Sequence, residues 1–320
     1  MRVLVTGGAG YIGGTATSIL LDRGYEVTVL DDCSTGHRDS VDSRARFIEG
    51  SLLDAQAIKT ALVDCDSVMH FAAKALVGES VEKPELYYET NVKGSRNLLA
   101  EMKSAGNTKI VFSSTCATYG QPKSSPISEE AETNPINPYG QTKLAVDHML
   151  TEAGNDWLAA ISLRYFNVAG SLKSKSGWLA ERHDPETHLI PNILMATPEN
   201  PLKVFGTDWP TPDGTCIRDY IHVVDLIDAH IKALELLAPT THRIFNLGSG
   251  TGYSVAEVIS AAERILGHAV PQEKSYRRTG DPAVLVADIT KAQSEMGWNP
   301  KHTLDEVVQD TWQSRRNERF

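Results

Sequence analysis

Cysteine is scarce in this chain: Cys33, Cys65, Cys116 and Cys216 are the only four in 320 residues. Their spacing fits neither a zinc site nor a compact disulfide framework. Reduced, unpaired thiols are therefore expected, as in a cytoplasmic protein, and no metal site. Basic charge is in deficit too. The formal net charge of -10 excludes a nucleic-acid partner, which needs a basic surface. It does not exclude a small anionic ligand, because a few local arginines hold a phosphate. No apolar run reaches the roughly 18 residues of a membrane span, so no membrane contact is expected. The start runs from Met1 and Arg2 straight into Val-Leu-Val-Thr-Gly, without a signal-peptide pattern. Internal repeats, low-complexity tracts and flexible linkers are missing as well. Apolar residues make up 41% of the chain, ordinary for a globular protein with a sizeable core, and the length suggests about two domains.

What is present is alternation. Short β-rich runs at 3–6, 26–30, 46–48, 67–71, 109–113 and 158–165 are separated by helical stretches, the pattern of a parallel sheet covered on both faces. After Asn167 the texture changes. Residues 171–184 are polar without clear periodicity, and Pro198, Pro201, Pro210 and Pro212 punctuate the next stretch. Residues 220–237 read as a helix and 244–247 as a short strand, both returning to the sheet or its flanks.

Gly7, Gly10 and Gly13 form G-x-x-G-x-x-G directly after the first run and at the start of a helix. That context gives the motif its meaning. Gly7 permits a tight turn, Gly10 lets the backbone approach a pyrophosphate, and Gly13 lets helix and strand pack closely. The helix N-terminus offers free N–H groups to phosphates. The next run ends at Asp31, followed by Asp32. A carboxylate there accepts from the adenosine ribose hydroxyls and repels the extra phosphate of NADP, so NAD is the expected cofactor.

Asn137-Pro138-Tyr139-Gly140-Gln141-Thr142-Lys143 starts another helix, with Asn137 as N-cap and Pro138 in the first turn. Tyr139 and Lys143 share one face. A neighbouring ammonium favours the phenolate, which can take a proton from a substrate hydroxyl. With ten tyrosines in the chain, this spacing alone arises by chance about as often as not. Its surroundings give it weight. The fifth run ends in Ser113-Ser114-Thr115, at the strand end where ligands of open α/β sheets bind. A hydroxyl there either shares the substrate's proton or caps a helix.

These residues resemble the extended short-chain dehydrogenase/reductase superfamily and, within it, the nucleotide-sugar 4-epimerases. The landmarks are Val-Thr-Gly-Gly-Ala-Gly-Tyr-Ile-Gly (5–13), Val-Gly-Glu-Ser-Val (77–81), Phe-Ser-Ser-Thr-Cys-Ala-Thr-Tyr-Gly (112–120), Leu-Arg-Tyr-Phe-Asn (163–167), His-Leu-Ile-Pro (188–191), Arg-Asp-Tyr-Ile-His-Val (218–223) and Arg-Arg-Thr-Gly-Asp (277–281). The resemblance implies a Rossmann-type doubly wound parallel sheet with a smaller, mixed C-terminal substrate domain. Residues 1–166, with 215–247 returning, would bind NAD; 167–214 and 248–320 would bind a UDP-sugar. Tyr139 would be the acid/base, Thr115 its hydroxyl partner and Lys143 the cofactor clamp. Tyr11, Ile12, Asp31, Asp32, Cys33, Ser34, Thr35, Gly36, Phe71, Ala72, Ala73 and Phe166 would line NAD with the glycines, and Asn91 would lie close by. Asn167, His188, Leu189, Phe205, Arg218, Arg278 and Asp281 would hold the UDP part. The implied reaction interconverts UDP-glucose and UDP-galactose through a 4-keto sugar that turns its other face before re-reduction.

Three positions depart from the family pattern or fit it loosely. Ser51, followed by Leu52, stands where an aspartate usually binds the adenine amino group, so weaker cofactor retention is expected. Lys74 falls one place from a common family lysine. Leu285 occupies a position whose size limits N-acetylated sugars and leaves them open. A 4,6-dehydratase on the same fold needs acidic residues after Thr115, and Cys116 and Ala117 cannot supply that chemistry. Epimerases of other UDP-sugars (N-acetylated, pentose or uronate) stay open. A non-catalytic NAD-sensing protein would not need Tyr139 and Lys143 together. A homodimer through the helices at 91–103 and 139–152 is expected; Leu98, Leu99 and Met102 would serve that contact or face the sheet.

Overall fold

The computed structural model describes residues 1–175, 177–278 and 281–317. Seven strands form the main sheet: β1 (Arg2–Thr6), β2 (Glu26–Asp31), β3 (Arg46–Glu49), β4 (Ser67–His70), β5 (Lys109–Thr115), β6 (Ala159–Tyr165) and β7 (Thr241–Leu247). Their order is β7-β6-β5-β4-β1-β2-β3, and every pairing is parallel. This is a doubly wound arrangement whose order reverses between β1 and β4, the place where such sheets open a crevice for ligands.

Both faces are covered, which is why the strands read as apolar runs. Val3 and Val5 of β1 point to one side, Leu4 to the other, as the two-residue period requires. The first side packs on α1 (Tyr11–Asp22) and α5 (Val223–Leu236), burying Ala16, Leu20, Leu226 and Ile227 with Val29, Val111 and Ile161. The second packs on α2 (Ala55–Leu62), α3 (Gly94–Ala105) and α4 (Pro138–Gly154), burying Ile58, Leu98, Met102, Val146 and Leu150 with Ile110 and Phe112. Leu98, Leu99 and Met102 are thus sheet-facing core residues and not a surface for a second copy. Helix α3 also starts later than expected, because Tyr88–Lys93 forms a π-helical turn ahead of it.

A third cluster holds the C-terminal part together. Ile190, Ile193, Leu202, Val204 and Tyr220 pack with Val255, Val258 and Ile259 of α6 (Val255–Leu266) and with Leu304, Val307 and Val308 of α7 (Leu304–Asn317). The strands here are short. Ile217–His222 pairs with Asn167–Ala169, Gly252–Ser254 and Val284–Leu285, and Leu202–Phe205 pairs with Gln272–Ser275. Residues 220–222 were expected in a helix but lie in this strand, with Tyr220, Ile221 and His222 all buried. A short apolar run fits either element, and tertiary pairing decided it. The helix begins only at Val223, where His222 accepts from the Val224 N–H at 3.1 Å. The polar stretch after Ser171 contains a small hairpin, Leu172–Ser174 with Gly177–Leu179. Among the described residues no helix is long and apolar enough to cross a membrane.

Candidate active site

The crevice starts at the end of β1. Gly7 has φ +75°, and a Cβ on it would stand 2.6 Å from the Ala72 nitrogen. Only glycine tolerates both the left-handed backbone and that approach. A Cβ on Gly13 would stand 2.1 Å from the Gly7 carbonyl oxygen, so α1 lies this close to the turn because Gly13 has no side chain. Around Gly10 just the Gly7 oxygen is near, at 3.3 Å. Gly10 caps α1 without a side-chain hydrogen bond, leaving the N–H groups of Tyr11, Ile12 and Gly13 and their partial positive charge for a phosphate.

Asp31 ends β2 beside this turn. Its Oδ2 accepts from the Ala9 N–H at 3.0 Å and its Oδ1 from the Cys33 N–H at 2.8 Å. Each carboxylate oxygen retains acceptor capacity for a ribose hydroxyl. Burial raises the Asp31 pKa, and the two backbone donors oppose the rise. Asp32 accepts from the Ser34 N–H at 3.0 Å. The segment then folds back on the glycine turn: a Cβ on Gly36 would meet the Ala9 carbonyl carbon at 2.7 Å, and the His37 N–H donates to the Ala9 oxygen at 2.8 Å. Ser34 and Thr35 are exposed at its tip. The glycine cradle, the uncapped helix and the acidic strand end fit a dinucleotide without a 2′-phosphate.

Across the switch point, the Phe71 N–H donates to the Thr6 oxygen at 3.1 Å, which seats Phe71, Ala72 and Ala73 against Gly7. Lys74 is tied down by Asn91, which accepts from the Lys74 N–H at 2.8 Å and donates to its carbonyl at 3.0 Å. Asn91 also donates to the Thr142 hydroxyl on α4 at 3.0 Å. Its side chain therefore ties this segment to the tyrosine-bearing helix. Ser51 accepts from the Leu53 N–H at 3.2 Å in the turn before α2, and Leu52 is buried in the second core cluster.

Helix α4 begins as its sequence dictates: Asn137 accepts from the Gly140 N–H at 2.8 Å and Pro138 occupies the first turn. Tyr139 and Lys143 are both buried. Lys143 Nζ donates to the Ser113 carbonyl of β5 at 2.7 Å and lies 6.0 Å from the centre of the Tyr139 ring. Burial lowers the Lys143 pKa to about 8, against the pull of Asp147. Burial likewise raises the Tyr139 phenol far above its ordinary value; the nearby Tyr165 adds to the rise and the Thr115 hydroxyl at the end of β5 opposes it. The phenol keeps its proton until further positive charge arrives beside it.

Three residues not singled out from the sequence as site residues belong to this centre. Tyr165 shares a 2.5 Å hydrogen bond with the Ser113 hydroxyl. Asp147, one turn beyond Lys143, accepts from Arg164 Nε at 3.0 Å and Nη2 at 2.9 Å, and from the Ser114 hydroxyl at 3.2 Å. Asp147 and Arg164 are almost fully buried. The signals were there: Asp147 continues the Tyr139/Lys143 helix face, and Arg164 and Tyr165 lie inside the Leu-Arg-Tyr-Phe-Asn landmark.

The remaining residues converge from the C-terminal part. Arg218 Nη2 lies 3.6 Å from Asp281 Oδ2, and the Arg278 guanidinium stacks 4.1 Å over the Phe205 ring. The Asp281 N–H also donates to the Arg278 carbonyl at 3.3 Å, so these groups cluster. Arg218 acts on Cys116, the residue after Thr115, whose thiol burial pushes up to about 12. Thr115 pairs with Tyr165 in the main sheet and Asn167 pairs with Tyr220 in the strand that carries Arg218, so this strand continues from the Thr115 end of β5. Leu285 lies opposite Arg218 in the strand pairing. The Phe166 N–H donates to the Leu247 oxygen at 3.1 Å, and Asn167 opens an exposed strand end. His188 donates its backbone N–H to Glu186, and Leu189 starts a short helix. Thr279 and Gly280 of the last landmark lie outside the described residues.

A sequence profile of the NAD dependent epimerase/dehydratase family matches residues 3–248. A UDP-glucose 4-epimerase of Corynebacterium glutamicum is 49% identical over 316 residues, covering 98% of this chain and 95% of that protein. The crystal structure of a Brucella ovis UDP-glucose 4-epimerase in complex with NAD superposes with a TM-score of 0.92 at 42% identity, covering 98% and 97% of the two chains. A Bifidobacterium longum UDP-glucose 4-epimerase in complex with NAD+ and UDP gives a TM-score of 0.90 at 36% identity, covering 98% of each chain.

Proposed function

The chain belongs to the NAD dependent epimerase/dehydratase family, and from that premise we propose that it is an NAD-dependent epimerase interconverting UDP-glucose and UDP-galactose at sugar carbon 4. The observation that carries this reading is the placement of Tyr139, Lys143 and Thr115 at the carboxyl end of the main sheet, next to the strand that bears Arg218. The glycine turn, Asp31 and the Phe71–Lys74 segment would hold the dinucleotide, and NAD bound there would supply reversible hydride transfer at carbon 4. Tyr139 takes the proton of the 4-hydroxyl and gives it back, Thr115 hydrogen-bonds the same oxygen, and Lys143 favours the phenolate by charge. Arg218 and Arg278 grip the diphosphate, and Asp281 accepts from ribose hydroxyls. Binding energy placed on the UDP leaves the hexose free to turn between the two transfers.

Residues 1–166 with 215–247 are assigned to the cofactor half, 167–214 with 248–320 to the nucleotide-sugar half. The family homologies and the absence of dehydratase acids at Cys116 and Ala117 support isomerisation over elimination. Leu285, intermediate in size, leaves N-acetylated UDP-sugars open as a second substrate class. Chromatography of products from UDP-glucose, UDP-galactose and their N-acetylated forms, with no added NAD, tests both readings; no conversion of any of them removes the proposal. The proposal includes a homodimer, supported by exposed Val77, Val81, Leu86 and Tyr88 in the segment packed beside α4. Sedimentation at micromolar concentration reads it, and a clean monomer sinks it.

A further inference from the structure

Between the Gly177–Leu179 strand and the helix Leu189–Met195, the chain doubles back and brings Glu181, His183 and His188 together. One ligand-capable atom from each lies within 4.8 Å of the other two. His183 Nδ1 is hydrogen-bonded to one oxygen of the Glu181 carboxylate, and the other oxygen lies 3.7 Å from His188 Nδ1. The two imidazole rings stand 5.4 Å apart. A second carboxylate, Glu186, holds His188 Nδ1 at 2.8 Å and accepts from the Thr187 and His188 backbone N–H groups, each at 2.8 Å.

We propose that Glu181, His183 and His188 form a zinc site, with Glu186 orienting the His188 ring. Two imidazoles and one carboxylate are the donor set of a borderline-soft divalent ion; Ca2+ and Mg2+ favour oxygen alone. Ligands bound tetrahedrally at about 2.0–2.2 Å stand roughly 3.3 Å from one another. The three ligand-capable atoms already lie within 4.8 Å of one another, on one short stretch of chain. Charge points the same way. The Glu181 and Glu186 side chains are only 10% and 8% exposed, so two poorly solvated carboxylates lie near each other, and a dication between the histidines offsets their repulsion. With His188 Nδ1 held by Glu186, Nε2 is the nitrogen left to bind the ion, and a carboxylate on the other ring nitrogen fixes a ligating imidazole and raises its basicity.

The role is structural. Hydride and proton transfer between Tyr139, the sugar and the cofactor balance without a metal. The ion would pin the stretch that leads into Leu189, next to nucleotide-facing residues. Arg182, between two of the ligands, already ties that stretch to Asp39 at 3.1 Å near the first turns of the cofactor half.

The test is metal analysis of the full-length protein. It is stripped with EDTA, reconstituted with zinc chloride and desalted; about one zinc per chain is expected. Cobalt chloride in place of zinc should give the visible absorption bands of a tetrahedral Co2+ ion. His183→Ala and Glu181→Gln should abolish retained zinc while circular dichroism and cofactor content match wild type. Glu186→Gln should weaken zinc affinity about 10–100-fold and not abolish it. Wild-type protein that retains no zinc after reconstitution overturns the proposal, and so does a folded His183→Ala protein with undiminished zinc. Because the wild-type titration needs no variant, misfolding of a variant leaves the test intact. Product chromatography of UDP-sugars reads the epimerase proposal separately, so either can fail alone.

Discussion

Gly7 and Arg218 belong to two regions built by different means. The region proposed to face the cofactor is made of backbone: a turn whose shape depends on missing Cβ atoms, a helix N-terminus, and strand ends set by seven parallel strands. The region proposed to face the nucleotide is made of side chains. Arg218, Asp281, Arg278 and Phe205 come from short strands and the segments after them, and meet only because the third core cluster folds. A site built from backbone cannot be altered without altering the fold. One built from side chains can lose its ligand and keep its structure.

The sharpest test of where the two regions meet is Tyr139→Phe. Turnover should fall about 10²–10⁴-fold, the worth of a positioned acid/base, while bound NAD, measured spectroscopically after denaturation, stays at the wild-type level. Wild-type turnover would remove Tyr139 from the mechanism. Next comes Asp147→Asn, which leaves the buried Arg164 guanidinium without its counter-charge. Breaking a buried pair costs about 3–5 kcal/mol, to be seen as a lower urea midpoint with an unchanged slope. A midpoint equal to wild type would show the sheet region to be more tolerant than a buried ion pair implies.

Arg278→Ala is the opposite case. Losing charge-assisted hydrogen bonds to a diphosphate, at about 1.5–3 kcal/mol, should raise KM for UDP-glucose by at least about tenfold with the urea midpoint unmoved. A large loss of stability would erase the distinction between the two regions. Ser51→Asp should slow loss of NAD on dialysis by the value of one improved hydrogen bond, about 0.5–1.5 kcal/mol; equal retention in both proteins would show that Ser51 costs nothing.

The smallest effect concerns acid. His70 and His230 are buried beneath the sheet region, and burial lowers their pKa values to about 3 and about 4. Both are neutral when folded and take up protons when unfolded below about pH 6.5. Their stabilisation is complete above that pH and declines as pH falls towards about 4. Melting temperature should drop over this window, and His230→Leu should flatten the slope. An unchanged slope would mean that other groups govern acid lability.

Much of the cofactor region was legible because its signals are local. Gly7, Gly10 and Gly13 sit within one turn, Asp31 closes the next strand, and Asn137, Tyr139 and Lys143 sit on one capped helix. Alternation of strands and helices predicts a parallel sheet with right-handed crossovers, whereas the strand order comes from the pairings alone. The Asp147–Arg164 pair was harder to read, since it joins a helix to a strand and neither residue announces its partner. Residues 220–222 read as the start of a helix because a short apolar run fits either element, and only pairing with Asn167–Ala169 distinguishes them. The face that Leu98, Leu99 and Met102 present was likewise undecided until the sheet showed what they cover.

The edge position of β7 has one more consequence. The chain leaves the main sheet at Tyr165 and supplies its last strand only at Thr241–Leu247. During synthesis, β6 is left with an open edge through all the intervening residues, and an open edge invites pairing with another chain. Fragments ending near residue 166 should aggregate, whereas those ending just beyond 247 should have all seven strands in place. Ribosomal output alone would then order the assembly: the cofactor pocket matures while α6 and α7 are still unmade.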